Sequence, residues 1–278
     1  MTPTTEPHWD GVLVRFGEIG IKSAPVRSRM VSRLRTNLLD QMIRRGTEGD
    51  VEARGSRLML RGPDPKALLD TAVHTFGVVS ASLVRRVAPT MEAIVAAAPA
   101  LALSRPWTTF AVRARREGNQ GFSSQDVAVQ AGSAIHRAAT AAGRTPKVKL
   151  TGPEMELHVD VRQDAAYLFL DGAEGPGGIP TATQGKVICL LRNRNDALAA
   201  WLMLRRGCAV APAGEMDASL VPLLRGWGLS KPQPGMIAEA ARYWKAMAIC
   251  SGETLTDSIP SVAPAALPIL RPLYGLDP

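Results

Sequence analysis

The sequence feature that most constrains the fold is a run of apolar residues at every fourth position near the N-terminus. Residues four apart lie on one side of a helix, so the run predicts a helix with one buried face. Its members are Val26, Met30, Leu34, Leu38 and Met42. Ser23 to Pro25 should open this helix and Gly46 should end it. The arginines between the apolar positions should face solvent: Arg27, Arg29, Arg33 and Arg35.

Strand and turn signals surround this helix. A hairpin through Gly55-Ser56 is expected after it, and Asp64-Pro65 should cap a second helix that runs to His74. The predicted strands are Gly11 to Phe16, Asp50 to Arg54, Arg57 to Arg61 and Val78 to Val87. The order β-α-β-β-α-β is the ferredoxin-like arrangement.

The middle of the chain predicts a second α/β unit. A helix from Thr90 should be interrupted near Pro99, and a helix from Ser124 to Ala142 should be capped by Ser123 or Ser124. The predicted strands are Trp107 to Ala114, Pro146 to Leu150, Met155 to Val161 and Ala166 to Asp171.

Asp171 to Lys186 contains five glycines and two prolines, which predicts a loop between domains. The strand, helix and strand expected after it, at Val187 to Leu191, Asp196 to Arg206 and Cys208 to Pro212, indicate the start of a parallel sheet.

Basic residues are concentrated in the N-terminal part. The chain has 33 Lys and Arg against 25 Asp and Glu, a net charge of +8. Gly11 to Arg45 contains eight basic and two acidic residues, whereas the last 92 residues contain nine and seven. A basic part joined to a nearly neutral part is typical of a phosphate-backbone binder attached to another domain; a merely solvated surface would show the same excess.

Other classes of protein are disfavoured. No apolar run is long enough to span a membrane and the N-terminus lacks the pattern of a secretory signal, so a cytoplasmic protein is expected. The first ten residues should form a loose tail. The three cysteines, Cys189, Cys208 and Cys250, are too widely spaced for a metal site or a disulfide framework and should be buried.

Seven stretches, in order along the chain, resemble the tRNA 4-thiouridine synthetases, also called tRNA sulfurtransferases. They are FGEIGIKS (Phe16 to Ser23), FAVRARREG (Phe110 to Gly118), LHVDVRQDAAYLFL (Leu157 to Leu170), GPGGIPTATQGKV (Gly175 to Val187), AAWLMLRRGC (Ala199 to Cys208), SGETLTDS (Ser251 to Ser258) and LPILRPLYGLDP (Leu267 to Pro278). The resemblance implies an α/β (α+β) protein with a ferredoxin-like domain at 11–88, a THUMP RNA-binding domain at 89–172, a linker at 173–186, and a shortened, Rossmann-like PP-loop domain at 187–278.

The resemblance also implies that the first two domains hold tRNA by its acceptor end. Lys and Arg side chains bind RNA phosphates, and structured RNA is recognised mainly by shape. Phe122 either stacks on a base or anchors packing. The basic contact candidates are Arg113, Arg115, Arg116, Lys147, Lys149, Arg27, Arg29, Arg33 and Lys186.

The chain departs from the family where ATP should bind. In the family, a Ser-Gly-Gly-x-Asp-Ser loop holds pyrophosphate with its backbone amides. Here that place contains Arg192, Asn193, Arg194, Asn195, Asp196 and Ala197. Side chains where the backbone must take φ > 0 cost about 1 kcal/mol or more per position. Neither ATP nor a metal is therefore expected, and Arg192 and Arg194 either bind phosphate through their guanidiniums or belong to a solvated loop.

Two functions stay open at this point, beside a structural protein whose arginines only keep it in solution. One is a tRNA-binding pseudo-enzyme, non-catalytic by itself, that acts as a homodimer or beside a full-length sulfurtransferase. The other is an ATP-dependent sulfurtransferase that makes 4-thiouridine with an altered loop and an external sulfur carrier. No catalytic residue is assigned, because the family's reactive cysteines lie beyond the LRPL-type stretch and Cys250 does not.

Overall fold

A computed structural model describes residues 7–54, 57–255 and 267–276 of the protein. The described residues form two compact units, and each is considered by itself. The first unit contains Ser82–Ala173 with the chain up to Leu13, and the second contains Val14–Ala81 with the chain from Glu174 onward. The domain limits inferred from the sequence stay predictions.

The predicted β-α-β-β-α-β order of the N-terminal third is confirmed, and the whole is a mixed α/β fold. The elements are β1 (Gly11–Arg15), α1 (Ala24–Arg45), β2 (Asp50–Arg54), β3 (Arg57–Arg61), α2 (Pro65–Val73), β4 (Ser80–Val87), α3 (Met91–Ala102), β5 (Thr109–Arg116), α4 (Ser124–Ala141), β6 (Lys147–Val148), β7 (Met155–Val161), β8 (Ala166–Phe169), β9 (Ala173–Glu174), β10 (Lys186–Leu191), α5 (Arg194–Arg205), β11 (Ala209–Met216), α6 (Leu220–Arg225), α7 (Ile237–Trp244), β12 (Ala248–Cys250) and β13 (Ile269–Leu270).

Helix α1 follows its sequence pattern closely. Met30, Leu34, Leu38 and Met42 are buried, and the helix ends where Gly46 takes the left-handed conformation with φ 65°. β2 and β3 pair as the predicted antiparallel hairpin, although its Gly55-Ser56 turn lies outside the described residues. The Asp64 side chain caps α2 as predicted, accepting hydrogen bonds from two backbone amides at 3.0 Å.

The first unit has a sheet covered by two helices on one face. Its strand order is β4-β8-β7-β5-β6, in which β5 pairs parallel to both β7 and β6. Helices α3 and α4 supply half of the apolar core, and alternate residues of the strands supply the rest, including Phe110, Leu157 and Val159. The opposite sheet face contains polar side chains together with the buried Ala111 and Tyr167.

Two expectations for this unit are wrong. Helix α3 is continuous through Pro99, because the proline costs one hydrogen bond while Ala98, Leu101 and Ala102 gain burial around it. The N-terminal residues nearest β1 do not form a loose tail: Trp9 packs against the core, and the Asp10 carboxylate accepts from the Arg86 amide at 2.8 Å.

The C-terminal part of the second unit is Rossmann-like. Its described strands have the order β11-β10-β12-β13, all parallel, and α5 connects β10 to β11 as the sequence predicts. The chain enters this sheet through the glycine-rich segment, where the prediction of a loop is wrong at both ends. Residues 173–174 form β9, and Lys186 begins β10.

The glycines of this segment permit close backbone approach. The amides of Gly175 and Gly177 donate to the carbonyls of Val79 and Val78 at 2.9 and 2.8 Å. A Cβ atom on Gly175 would lie 2.4 Å from the Val78 oxygen, so a side chain cannot be accommodated there. The segment is consequently packed along the end of the ferredoxin-like part.

An aromatic cluster joins the ferredoxin-like and Rossmann-like parts of the second unit. Phe76 follows α2 and is buried among residues of β10, α5 and α6. Its ring lies 5.3 Å from that of Trp201 and 5.4 Å from that of Trp227, centroid to centroid. Such ring pairs stabilise beyond the area they bury.

Replacing this central ring should destabilise the second unit. For Phe76→Ala we expect the free energy of unfolding to fall by about 3–5 kcal/mol, because a large cavity opens in the cluster. Urea denaturation followed by tryptophan fluorescence measures it. The control is Ile43→Ala, whose side chain is 78% exposed, and which should change the free energy by no more than about 0.5 kcal/mol. Equal effects of the two substitutions would contradict this account of the cluster.

Candidate nucleic-acid interface and nucleotide loop

Strand pairing in the first unit decides which basic side chains share a surface. In the parallel β5–β6 pair, Lys147 lies beside Thr109 and Val148 beside Phe110. Paired residues point to the same face of a sheet and alternate along each strand. Lys147 and Lys149 therefore share the face of Arg113 and Arg115, opposite the helices.

These four cations are not equally free to bind a phosphate. Arg113 pairs with Glu156 at 3.0 Å and also donates to the Leu150 carbonyl. Arg115 lies 3.4 Å from Glu117. The ammonium groups of Lys147 and Lys149 are exposed and have no partner among the residues that the structure describes. The positive excess of this face consequently lies at its β6 edge.

Arg116 does not belong to this face. The side chains of β5 alternate, so Arg116 points to the side opposite Arg113 and Arg115 and is only partly exposed. One of its guanidinium nitrogens donates to the Gly118 carbonyl at 2.6 Å. The expectation that the three arginines are all exposed on one surface is wrong for Arg116, because the pleat separates neighbours in sequence.

Phe122 and two further rings occupy different environments in this unit. Phe122 is partly buried and packs against the apolar core, just before the Ser123 cap of α4. His158 lies beside Arg113 in the strand register and stacks on Phe169, with centroids 5.0 Å apart and planes 7° from parallel. Sequence reasoning missed this pair; the alternation in LHVDV and AYLF was the signal that could have found it.

The other basic candidates lie in the second unit. Arg27, Arg29 and Arg33 are exposed on α1 and have no hydrogen-bond or ion-pair partner within the described ranges. Lys186 is exposed at the start of β10, where its ammonium lies 5.6 Å from the centroid of the Trp244 ring.

The segment from Arg192 to Ala197, where the family resemblance led us to expect an altered phosphate loop, is closed by its own hydrogen bonds. The Asp196 side chain is 1% exposed, and its carboxylate accepts from the Arg192 amide at 3.0 Å and from the Gly252 amide at 2.7 Å. The Arg192 guanidinium adds bonds of 2.9 and 3.2 Å. Asn193 caps α5 by accepting from the Asp196 amide at 2.9 Å. The amides of Asp196 and Ala197 in the first turn of α5 are therefore already used by acceptors on Asn193.

The backbone at Gly252 packs against this segment at Asn195 and Asp196. A Cβ atom on Gly252 would lie 2.2 Å from the Asn195 carbonyl carbon, so the two backbone segments are in direct contact. Arg194 is exposed at the first turn of α5, and Arg192 is held by the buried carboxylate. Of the two arginines proposed to bind phosphate, only Arg194 retains a guanidinium outside this network.

The cysteines are buried thiols, as predicted. Burial raises the pKa of the Cys250 thiol to about 12 and also raises the pKa values of Cys189 and Cys208. Such groups stay protonated near neutral pH and are poor nucleophiles. Within residues 7–54, 57–255 and 267–276, no cluster of metal-ligating side chains is found and no helix is long and apolar enough to cross a membrane.

Two family models match the N-terminal and middle parts of the chain. Residues 11–82 match the ThiI ferredoxin-like domain, and residues 88–171 match the THUMP domain. A probable tRNA sulfurtransferase from Halobacterium salinarum is 41% identical over 208 residues, 74% of this chain and 53% of that protein. Another from Methanosarcina acetivorans is 36% identical over 205 residues, 72% of this chain and 50% of that one.

The chain belongs to the ThiI-like tRNA sulfurtransferase family.

Solved structures extend the likeness in fold to nearly the whole of this ThiI-like chain. PH1313 from Pyrococcus horikoshii has a TM-score of 0.83 at 23% identity, covering 96% of this chain and 95% of that one. A 4-thiouridine synthetase–RNA complex with bound ATP has a TM-score of 0.79 at 19% identity, covering 97% and 82%. The ThiI-like chain spans about half the length of the curated relatives it matches.

Asp196 should stabilise the closed segment of this ThiI-like protein. We expect Asp196→Ala to lower the free energy of unfolding by about 1–3 kcal/mol, because the buried Gly252 amide loses its acceptor. Chemical denaturation measures the change. Arg194→Ala, in the same segment but exposed, is the control and should stay within about 0.5 kcal/mol of the parent. An Asp196→Ala protein as stable as this control would show that the carboxylate does not hold the segment.

Proposed function

We propose that this ThiI-like protein binds the acceptor end of tRNA and does not itself activate tRNA with ATP. The observation that carries the RNA part is the shared face of β5 and β6 in a THUMP domain. There Lys147 and Lys149, which have no partner within the described ranges, add positive charge beside Arg113 and Arg115. Phosphate neutralisation by such side chains supplies most sequence-independent affinity for RNA.

The stacked rings add a second kind of contact to this face. His158 and Phe169 lie in the same strand register as Arg113 and offer a flat aromatic surface beside the cations. Unpaired bases stack on such surfaces, and the acceptor end of tRNA has a single-stranded terminus. The face thus suits a duplex backbone next to exposed bases.

The non-catalytic part of the proposal rests on the closed segment at α5. The Asp196 carboxylate accepts the hydrogen bonds that an anion would need, and it would repel a phosphate brought to the same place. The buried cysteines with raised thiol pKa values give no persulfide carrier among the described residues. A full-length sulfurtransferase would then supply the chemistry, and this protein would act beside it or as a tRNA-binding homodimer.

One observation favours a catalytic function instead: the relatives are named after an enzymatic activity. Proteins 41% and 36% identical to this chain are named as tRNA sulfurtransferases. In that case the chain would adenylate tRNA through an altered loop with an external sulfur carrier. Measuring ATP turnover separates the two functions.

The RNA proposal predicts a specific change in salt dependence. The slope of log K against log salt concentration should fall in magnitude by about 1–2 for Lys147→Gln/Lys149→Gln, because two phosphate contacts disappear. Filter binding of tRNA over a salt series measures the slope. Arg137→Gln removes an exposed charge from α4, which packs on the other side of the sheet, and should leave the slope unchanged. Parent binding that is insensitive to salt, or equal slopes for both variants, would contradict the assigned surface.

The non-catalytic proposal predicts that the protein releases no pyrophosphate from ATP when tRNA is present. Closure of the Arg192 to Ala197 segment by Asp196 is the physical reason. A coupled pyrophosphate assay measures release, with the Halobacterium salinarum relative as the positive control. Clear release by this protein, together with adenylated tRNA, would favour the catalytic alternative.

A further inference from the structure

One face of α1 is polar where an apolar face would be expected. Asn37, Gln41 and Arg44 lie three or four positions apart and point toward the Rossmann-like part of the same unit. Each donates to a main-chain carbonyl there: Asn37 to Thr181 at 3.1 Å, Gln41 to Gly226 at 2.9 Å, and Arg44 to Arg225 and Leu229 at 3.2 Å. These long side chains bridge a recess.

The recess has a volume of about 150 Å³, equal to that of about five water molecules in the liquid. This is the size of a sugar ring and less than that of a whole nucleoside. Its charged groups are the guanidiniums of Arg33 and Arg44 and the carboxylate of Asp40. A wider recess of about 560 Å³ shares Arg44 and is lined by three more cations, Arg45, Arg225 and Lys231.

An unsatisfied buried acceptor lies in the smaller recess. Gln41 is 4% exposed, and its Oε1 atom has no partner among the described residues. Its Nε2 atom donates to the carbonyls of Gly226 and His74, which fixes the orientation of the amide. Buried side-chain acceptors are rarely left without a donor. A ligand with a hydroxyl or amine donor that reaches the Gln41 Oε1 atom would satisfy this acceptor.

The ligand must satisfy groups of opposite character. Asp40 and the Gln41 oxygen accept hydrogen bonds, whereas Arg33, Arg44 and the cations of the wider recess attract an anion. A bare phosphate would meet the carboxylate, and a cation would meet the guanidiniums. A ribose phosphate offers hydroxyl donors and an anionic group side by side, and acidic side chains commonly bind ribose hydroxyls.

The recess is distinct from the position of the family's nucleotide loop. Ala209, which lines it, is the first residue of β11 and pairs with Lys186, the first residue of β10. The Arg192 to Ala197 segment follows the other end of β10. Six residues of strand separate the two places by roughly 20 Å.

We propose that this recess binds a ribose phosphate, with Asp40 and Gln41 accepting from sugar hydroxyls and Arg33 and Arg44 holding the phosphate. The ligand is a free ribonucleotide or one residue of an RNA strand. In an RNA strand, the next phosphate would reach the wider recess and meet Arg225 and Lys231.

The decisive substitution is Asp40→Asn. It removes a negative charge, so simple attraction of polyanions would become stronger, whereas loss of a charge-assisted bond to a ribose hydroxyl should weaken binding by about tenfold. Glu18→Gln is the matched control, because Glu18 is an exposed carboxylate of the same unit that does not line the recess. Both positions are on the surface, and thermal melts check that the fold is kept.

The probes are uridine 5′-monophosphate, its 2′-deoxy analogue, and hexauridylate, each titrated by calorimetry at low salt. Binding of the monophosphate that falls in Asp40→Asn but not in Glu18→Gln supports the site with a free ribonucleotide as ligand. An RNA strand is supported if the monophosphate shows no binding at millimolar concentration, while hexauridylate binds and its binding falls in Asp40→Asn but not in Glu18→Gln. The deoxy analogue should bind more weakly than the ribonucleotide in either case.

The proposal is overturned if neither uridine 5′-monophosphate nor hexauridylate binds. It is also overturned if Asp40→Asn binds these probes more tightly, as simple attraction between a polyanion and a more positive surface requires. The result is independent of the tRNA surface proposed above. Lys147→Gln/Lys149→Gln lies in the other unit and should leave the monophosphate titration unchanged, so a failure of tRNA binding would not be mistaken for a failure of this site.

Discussion

The packing of Phe76 between Trp201 and Trp227 is the interaction on which the second unit depends. It fixes the end of the ferredoxin-like part against the Rossmann-like sheet, and the glycine-rich segment follows the same seam by donating to the carbonyls of Val78 and Val79. Because this apolar contact holds the two parts together, the neighbouring face of α1 is free to be polar. Asn37, Gln41 and Arg44 can then bridge carbonyls and frame a recess instead of filling a core.

The family fold is kept, and the segment from Arg192 to Ala197 is closed by internal hydrogen bonds. In a phosphate-binding loop, backbone amides and a helix N-terminus are free to bind an anion. Here the anion is internal: the Asp196 carboxylate takes the amides of Arg192 and Gly252, and Asn193 caps the helix. A buried carboxylate with this many partners is stable, because each of its hydrogen bonds is charge-assisted. Through these bonds the segment connects β10, α5 and the residues that follow β12 at Ser251 and Gly252.

The basic surface of the first unit follows from the pleat of its sheet. Alternation sends Arg113 and Arg115 to the face of Lys147, Lys149 and the stacked His158–Phe169 pair, and sends Arg116 away from it. Glu156 on β7 and Glu117 just after β5 neutralise the arginines in part. The lysines at the β6 edge stay unpaired among the described residues. Counting charges along the sequence therefore assigns Arg116 to this surface wrongly and misses its aromatic pair, His158 and Phe169.

The sequence by itself determined the elements whose signals are local. The four-residue apolar spacing specified α1, and the Asp64 cap started α2. The absence of both loop glycines predicts an altered nucleotide site, and this stays a prediction. Tertiary structure alone decided that Pro99 stays inside α3, that the glycines after Asp171 serve close packing, and that Asp196 fills its own loop. It also decided that the Gln41 oxygen has no donor among the residues that the structure describes. The physical reason is the separation in sequence between the residues that interact. Periodicity and capping involve residues within a few positions of each other, whereas burial, hydrogen-bond satisfaction and the sharing of a face depend on segments brought together from distant parts of the chain.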